Sequence, residues 1–281
     1  YRRYRNLITS YLMNQPASLN SYTLNNGVQL VAFHPLILGT FQNRMEKMNF
    51  IVDLVVTRHL TTFTHSVMVS YLAEAIGKHI LAARPELLRI PSSYLEGNVY
   101  ASPAEVLDYI VPAALFHDIG KNGMIPIINT QHRKLNDYEF NIIQTHPQKG
   151  SDYLSSDPDF LIYQPVALGH HRSYDGTRGY PLSFDNTASP YRDAIDLIHI
   201  CDCLDAATDY LSRNYHRAKP FDVVLNELKA GRGTEYNPDM VDVILSDREL
   251  YNDLKMLTEQ NRENIYYDIY LTFVNLRKKR Q

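Results

Sequence analysis

Apolar residues recur at helical spacing along most of the chain. Between residues 41 and 58 the apolar positions are Phe41, Met45, Met48, Ile51, Val52 and Val55, and residues 62–83 continue the pattern. This period places apolar side chains on one face of a helix. Further segments that predict helices are 159–171, 190–211, 220–230, 238–246 and 250–277. The predicted fold class is therefore all-α.

Two helix starts are marked by capping patterns. Ser102-Pro103-Ala104-Glu105 offers Ser as the N-cap, Pro at the first helical position and Glu at the third. We expect this helix to end near Gly120, with His117 and Asp118 in its last turn. Asn136-Asp137-Tyr138-Glu139 repeats the pattern and predicts a helix that includes His146.

Residues 21–36 depart from the helical pattern. Two short β-prone runs, 22–24 and 28–33, flank Asn25-Asn26-Gly27, a combination typical of a β-hairpin with an Asn-Gly turn. We therefore divide the chain into a small N-terminal module or linker at 1–40 and a helical domain at 41–281.

Composition narrows the classes of partner. The chain has 281 residues, 44% of them hydrophobic, and a net charge of −3. Such a weak charge gives no reason to expect a nucleic-acid polymer or a membrane surface as partner. No apolar run is long enough for a membrane span, and no secretory pattern opens the chain.

The first residue and the two cysteines indicate the kind of protein and the cellular compartment that we expect. The chain begins with Tyr1, so we interpret it as part of a longer protein with further sensory or signalling domains. The two cysteines, Cys201 and Cys203, are interpreted as core thiols in a reducing compartment. We expect a cytoplasmic protein, and a homodimer is compatible with the sequence.

Adjacent metal-ligand residues are the main chemical signal. His117-Asp118 opens the run HDIGK at 117–121, and a His170-His171 pair follows later. Neighbours at a helix end can both reach one centre, although on a regular helix they point about 100° apart. The other candidate ligands are His65, His146 and Asp202. Imidazoles and carboxylates without thiolate suit Fe or Mn better than a structural zinc.

A carboxylate such as Asp118 can bridge two metal ions. Two ions about 3.5–4 Å apart would bind a phosphodiester and activate water. Lys121, four residues after His117, would then offer a cation to a phosphate oxygen or help to protonate a leaving oxygen. Taken singly, His65 or His146 would be an ordinary core or surface histidine. Outside this set, five histidines are interpreted as structural: His34, His59, His79, His132 and His199.

The ordered succession of these motifs resembles the HD-GYP family. It consists of His65, HDIGK at 117–121, the stretch 125–150, HHRSYDGTRGYP at 170–181 and CDCLDAATD at 201–209. The resemblance covers residues 55–245 and implies an HD-domain helical bundle. It also implies a metal-dependent phosphodiesterase of bacterial signalling that hydrolyses cyclic di-GMP or a related cyclic dinucleotide.

The resemblance assigns roles to individual residues. The implied metal ligands are His65, His117, Asp118, His146, His170, His171 and Asp202. Asp118 would bridge the metals and act with Lys121 in catalysis. Gly179-Tyr180-Pro181 matches the GYP signature, and Arg213 matches an arginine that binds substrate.

The sequence departs from the family pattern near the substrate. Thr61 stands where members with three metals have Glu, so we expect two ions. Arg172 replaces a Glu, the GYP loop has an extra residue at Thr177-Arg178, and residues 213–217 read RNYHR. The predicted substrate-binding residues, which include a basic mouth of four arginines, are Arg172, Tyr174, Arg178, Tyr180, Arg213 and Arg217.

Three functions follow. The first is hydrolysis of a cyclic dinucleotide, with cyclic di-GMP as the leading candidate, to a linear dinucleotide. The altered loop favours the second, a catalytically weak receptor that keeps the metal site and signals to another domain. The third keeps the HD chemistry but changes the substrate to another phosphoester, such as a mononucleotide.

Overall fold

The computed structural model describes residues 41–279 except 42, 59, 93–98, 125–134 and 213–217. Regular structure in this part of the chain is helical, without strands and with three isolated β-bridges, so the all-α prediction is confirmed. The predicted hairpin at 21–36 and the module at 1–40 lie outside the described residues. No helix within the described ranges is long and apolar enough to cross a membrane.

Eleven α-helices are described, and short 3₁₀ or π turns connect several of them. They are α1 (Arg44–Arg58), α2 (Leu60–Ala83), α3 (Pro103–Phe116), α4 (Asp137–Ile143), α5 (His146–Ser155), α6 (Gln164–Gly169), α7 (Arg192–Thr208), α8 (Phe221–Ala230), α9 (Pro238–Ser246), α10 (Arg248–Lys255) and α11 (Arg262–Lys279).

Helices α2 and α7 form the centre of the core. On α2, Met68, Leu72 and Ile76 have no exposed surface, and α3, α7 and α1 pack against this helix. On α7, Ile195 and Ile198 are equally buried. Because α2 carries His65 and α7 carries Asp202, the packing of the core brings these two candidate ligands together.

Both predicted capping boxes are present. The Ser102 side chain accepts a hydrogen bond from the Glu105 backbone, and the Glu105 side chain accepts one from the Ser102 amide at 2.7 Å. Asn136 and Glu139 make the same reciprocal pair. These contacts satisfy N–H groups that have no partner inside the first helical turn.

Several helices end earlier than the sequence predicted. Helix α3 ends at Phe116, and a 3₁₀ turn at Ile119–Gly123 follows. The predicted helix through His146 is two helices, because α4 ends at Ile143 and α5 begins at His146 with Pro147 in its first turn. Proline has no N–H to donate to the preceding turn and is tolerated at a helix start.

Two other predicted helices are also divided. The 159–171 prediction is a 3₁₀ turn at Leu161–Tyr163 followed by α6, which has Pro165 in its first turn and ends before His170. The 250–277 prediction consists of α10, a π turn at Met256–Gln260 and α11. The first division again follows from a proline, which begins a helix more readily than it continues one.

Candidate metal centre

The seven predicted metal ligands lie close together in the structure. Ligand atoms of Asp118, His146, His170 and His171 lie within 4.8 Å of one another, and two smaller overlapping sets include the remaining three residues. Six of the seven are buried, and His171 is partly exposed. The residues therefore form one cluster that is buried except at His171.

Three of the histidines stand next to helix ends and are oriented by the same local contact. The Nδ1 atom of each one lies within hydrogen-bond distance of the backbone oxygen three residues earlier. The pairs are His117 with Ala114 at 2.6 Å, His146 with Ile143 at 2.7 Å and His170 with Ala167 at 2.9 Å. Since a carbonyl only accepts, Nδ1 donates and carries the proton. The unprotonated Nε2 atom of each ring is then available to a metal.

The spacing between two of these rings favours a cation. Nε2 of His146 lies 3.1 Å from Nε2 of His170. In the tautomers that the carbonyl contacts set, both atoms present lone pairs, which repel each other unless a cation lies near them. Within the described part of the chain, Nε2 of His117 is also buried without a hydrogen-bond partner. A buried acceptor of this kind is costly unless it binds something.

His65 is oriented in a different way, since it lies inside α2 rather than at a helix end. Its Nδ1 atom is 2.6 Å from Oδ2 of Asp205 on α7. Its Nε2 atom is 2.9 Å from Oδ1 of Asp202. A carboxylate behind a histidine fixes the ring orientation and raises the basicity of the ligand nitrogen.

Asp118 lies between two groups of histidines. Its Oδ1 atom is 3.1 Å from Nε2 of His146 and 3.8 Å from Nε2 of His170. Its Oδ2 atom is 3.7 Å from Nε2 of His65 and 3.6 Å from Nε2 of His117. One carboxylate with each oxygen directed at a separate pair of imidazoles has the arrangement of a bridging ligand.

Asp202 also spans the cluster. Its Oδ1 atom faces His65 and His117, at 2.9 Å and 4.0 Å from Nε2, and its Oδ2 atom is 3.5 Å from Nδ1 of His171. The cluster thus has two halves. We call them the His65 half, with His65 and His117, and the His146 half, with His146, His170 and His171.

The protonation states suit metal binding. Burial, and then the neighbouring histidines, hold the pKa values of His170 and His171 well below the usual range, so both rings are neutral at pH 7. Burial alone would raise the pKa of Asp118, but Lys121 and His117 outweigh it and lower that pKa well below the usual range. Neutral imidazoles with ionised carboxylates are the ligand forms that metals require.

Two glycines allow the backbone to pass close to ligands. A Cβ at Gly120 would lie 1.9 Å from the backbone oxygen of His146. A Cβ at Gly179 would lie 1.8 Å from the backbone oxygen of His171, and Gly179 also has φ +85°. Any larger residue at either position would displace a ligand.

Lys121 lies at the centre, although not in the way the sequence predicted. The helix does not continue past Phe116, so Lys121 is on the 3₁₀ turn instead of on the helical face of His117. Its Nζ atom is 2.5 Å from Oδ2 of Asp118. The ammonium group is therefore beside the predicted bridging carboxylate.

The loop that contains the GYP residues adjoins the His146 half. The ring of Tyr180 lies 4.5 Å from the ring of His171 and 6.1 Å from that of His146, measured between centroids. The structure therefore brings Tyr180 to the ligands, as a substrate-binding role requires.

The structure corrects the prediction for Arg172. Its side chain is 4% exposed and lies inside the loop rather than at a basic mouth. The guanidinium donates to the backbone oxygens of Gly176, Arg178 and Gly179, the second at 2.8 Å. Arginine is suited to this because one planar group presents five donors. Arg172 therefore stabilises the loop.

The other predicted substrate-binding residues differ from Arg172 in their exposure and in their contacts. Arg178 is exposed and lies 3.2 Å from a carboxylate oxygen of Glu235. The guanidinium of Arg192 lies 4.6 Å from the centre of the Tyr174 ring, which therefore has a cation on one face. Arg213 and Arg217 lie outside the described residues.

The HD-domain family profile matches residues 62–214, which is more than half of the chain. The chain belongs to the HD-domain family. The match includes all seven predicted ligand residues, and the resemblance to HD-GYP proteins is confirmed at this level.

Relatives of this HD domain are named as phosphodiesterases. The chain is 26% identical to a cyclic di-GMP phosphodiesterase of Vibrio cholerae, over 71% of this chain and 41% of the relative. It is 33% identical to the cyclic di-GMP phosphodiesterase response regulator RpfG of Xanthomonas campestris, over 51% and 37%. It is 25% identical to the 3'3'-cGAMP-specific phosphodiesterase 2 of Vibrio cholerae, over 71% and 37%. The chain thus spans less than half the length of these relatives.

Sequence reasoning missed two residues behind the ligands of the HD domain. His199, interpreted as structural, has Nδ1 2.7 Å from the backbone oxygen of His170 and Nε2 3.3 Å from Glu235. Asp205 supports His65, as described above. The signal for Asp205 was its spacing, because residues three apart on a helix share a face and Asp202 is a predicted ligand. Glu235 gave no comparable signal.

Proposed function

We propose that this HD domain is a metal-dependent phosphodiesterase that hydrolyses a cyclic dinucleotide, with cyclic di-GMP as the leading substrate. The observation that carries the proposal is the position of Asp118, whose two oxygens face two separate pairs of histidines. The names of the relatives support the substrate class, since they include phosphodiesterases of both cyclic di-GMP and 3'3'-cGAMP.

We infer a centre of two divalent ions, with Fe or Mn as the expected metals. Residues of the His65 half would hold one ion, residues of the His146 half the other, and Asp118 would bridge them. Thr61, where a further acidic ligand is expected in three-metal members, is exposed. Divalent ions, when bound in such a pair of sites, polarise phosphoryl oxygens and activate water.

The residues of the chain then have distinct tasks. Asp118 and Asp202 are ionised and supply negative charge to both halves, because their pKa values are well below the usual range. The Lys121 ammonium, which lies beside Asp118, would contact a phosphate oxygen or protonate the leaving oxygen. Tyr180 borders the open side next to His171, where a base or ribose would lie. The expected product is a linear dinucleotide.

Turnover with defined metals tests the proposal. Anaerobically purified protein would be loaded with Mn²⁺ or Fe²⁺ and incubated with cyclic di-GMP, 3'3'-cGAMP or a mononucleotide, and the products separated by chromatography. We expect a linear dinucleotide from at least one cyclic substrate and no cleavage of the mononucleotide. Metal-loaded protein that cleaves neither cyclic substrate would contradict the proposal.

A receptor function is the second candidate. It is favoured by the fact that two of the predicted substrate cations, Arg172 and Arg178, are paired with protein atoms. A receptor would bind the intact cyclic dinucleotide tightly without product. Binding measured by calorimetry beside turnover separates the two functions.

A further inference from the structure

Arg262, the first residue of α11, is buried in the core although it carries a charge. Its side chain has no exposed surface and is the largest fully buried side chain among the described residues. An isolated buried charge is very costly, so a buried arginine needs partners for its charge and its donors.

The guanidinium of Arg262 has partners on three segments. It donates to Oδ1 of Asp205 at 2.8 Å and to Oγ1 of Thr208 at 2.8 Å, both on α7. It donates to the backbone oxygen of Thr258 in the π turn at 3.0 Å and to the hydroxyl of Tyr266 at 3.3 Å. These bonds attach the start of α11 to α7 at a fixed position.

Asp205 links this arginine to the metal centre. Its Oδ1 atom contacts Arg262, and its Oδ2 atom lies 2.6 Å from Nδ1 of His65. Arg262 therefore fixes the carboxylate that in turn fixes the ring of His65. Variation of residues behind metal ligands typically costs about 10–100-fold in metal affinity.

Stability alone does not account for this arrangement. Buried ion pairs contribute little to stability on balance, and well-packed apolar residues often replace them without loss. A purely structural anchor for α11 would also have no reason to share its carboxylate with His65. The shared carboxylate instead indicates that the ion pair serves the ligand.

We propose that Arg262 is a positioning residue for His65, and that through Asp205 it couples the packing of α11 to metal binding in the His65 half. The inference rests on the metal centre of the proposed function. Coupling between two equilibria is reciprocal. If packed α11 strengthens metal binding, bound metal must strengthen the packing of α11 to the same extent.

The π turn offers a matched control. Oε1 of Glu259 accepts a hydrogen bond from the backbone N–H of Phe221 at 2.6 Å, which attaches the turn to α8. Glu259→Gln weakens this attachment without touching Asp205. Arg262→Met removes the charge and all donors, whereas Arg262→Lys keeps the charge but cannot reproduce the planar fork.

Titration of metal-free protein with Mn²⁺ tests the coupling without nucleotide. We expect two ions in the wild type, and in R262M an affinity about 10–100-fold lower for one of them, with the other unchanged. R262K should lie between R262M and the wild type, and E259Q should match the wild type. Equal affinities in R262M and wild type would overturn the proposal. If R262M does not fold, as judged by circular dichroism, equal affinities in R262K and E259Q overturn it.

Amide hydrogen exchange provides the reciprocal readout. We expect Mn²⁺ to slow exchange in α11 of the wild type and of E259Q, and to do so much less in R262M or R262K. If the wild type binds two Mn²⁺ ions but hydrogen exchange in α11 does not change, the coupling is overturned and the metal centre is not. A wild type that binds no Mn²⁺ would overturn the metal centre as well.

Discussion

The metal centre and the loop 172–181 lie side by side, yet they depend on different contacts. Three predicted ligands, His117, His146 and His170, are oriented by carbonyls three residues away in the chain. The loop depends on Arg172, whose guanidinium donates to several loop carbonyls at once. A short sequence motif can therefore specify how a predicted ligand is oriented, whereas the position of an arginine in the loop is decided by the packing around it.

Replacement of Asp118 tests the centre most severely. Asp118→Ala removes the carboxylate that faces both halves, so we expect loss of bound metal and a fall in turnover of about 10³-fold or more. Metal content by mass spectrometry and turnover at saturating substrate measure this. A folded variant that keeps both metal and activity would contradict the proposed bridging role.

Alanine at Gly179 tests how closely the loop and the centre depend on each other. The added Cβ meets the His171 carbonyl, and a positive φ disfavours it further, so we expect a loss of about 3 kcal/mol in the free energy of unfolding. Gly233→Ala is the matched control, with φ +76° and no atom within 4 Å of the new Cβ, and should cost about 1 kcal/mol. Urea unfolding measures both, and equal losses would mean that the close approach is unimportant.

Replacements of two arginines in the loop should have different effects on the stability of the protein. Arg172→Met removes the guanidinium hydrogen bonds to three loop carbonyls, and we expect a loss of about 2 kcal/mol in the free energy of unfolding. Arg178→Ala removes an exposed ion pair with Glu235 and should change stability by less than about 1 kcal/mol. If R172M is as stable as the wild type but binds nucleotide more weakly, the original prediction of a substrate-binding Arg172 is restored.

A further expected effect is a pH dependence of stability at Asp196, which is not among the predicted ligands. Burial raises the pKa of Asp196 to about 7, although Asn237 and Arg192 act against the rise. The native state then binds a proton that the unfolded state, with an ordinary carboxyl pKa near 4, has released. The stability contributed by Asp196 should therefore fall from about pH 4 to pH 7 and level off above it.

The variant Asp196→Asn tests whether the stability contributed by Asp196 falls as the pH rises. The variant should gain stability relative to the wild type as the pH rises from 4 to 7, by up to about 1 kcal/mol per pH unit. Unfolding in urea at several pH values measures the difference. A constant difference across this range would mean that Asp196 does not titrate as described.

The sequence predicted which residues lie together because its signals are local. Adjacent pairs such as His117-Asp118 mark candidate ligands, which the structure brings into one cluster, and the capping boxes at Ser102 and Asn136 locate helix starts. The helix ends were less accurate, since the prolines that begin α5 and α6 were not used to divide the predicted helices.

Contacts between distant segments of the chain could not be predicted from the sequence. Asp205 and Arg262 are 57 positions apart, and nothing around Arg262 in the sequence indicates a buried ion pair. Arg172 was placed at the rim because it replaces the Glu of the family pattern and was grouped with three other arginines. Its carbonyl partners exist only once the loop has folded, which residue types alone do not reveal.

The central claim is that Asp118 bridges two metal ions, and electron paramagnetic resonance of Mn²⁺-loaded protein tests it most directly. Metal-free protein would be titrated with Mn²⁺ and the spectrum followed at each addition. We predict two ions per chain and the spectrum of a magnetically coupled pair, which Asp118→Ala abolishes. A spectrum of isolated Mn²⁺ at full occupancy would contradict the account.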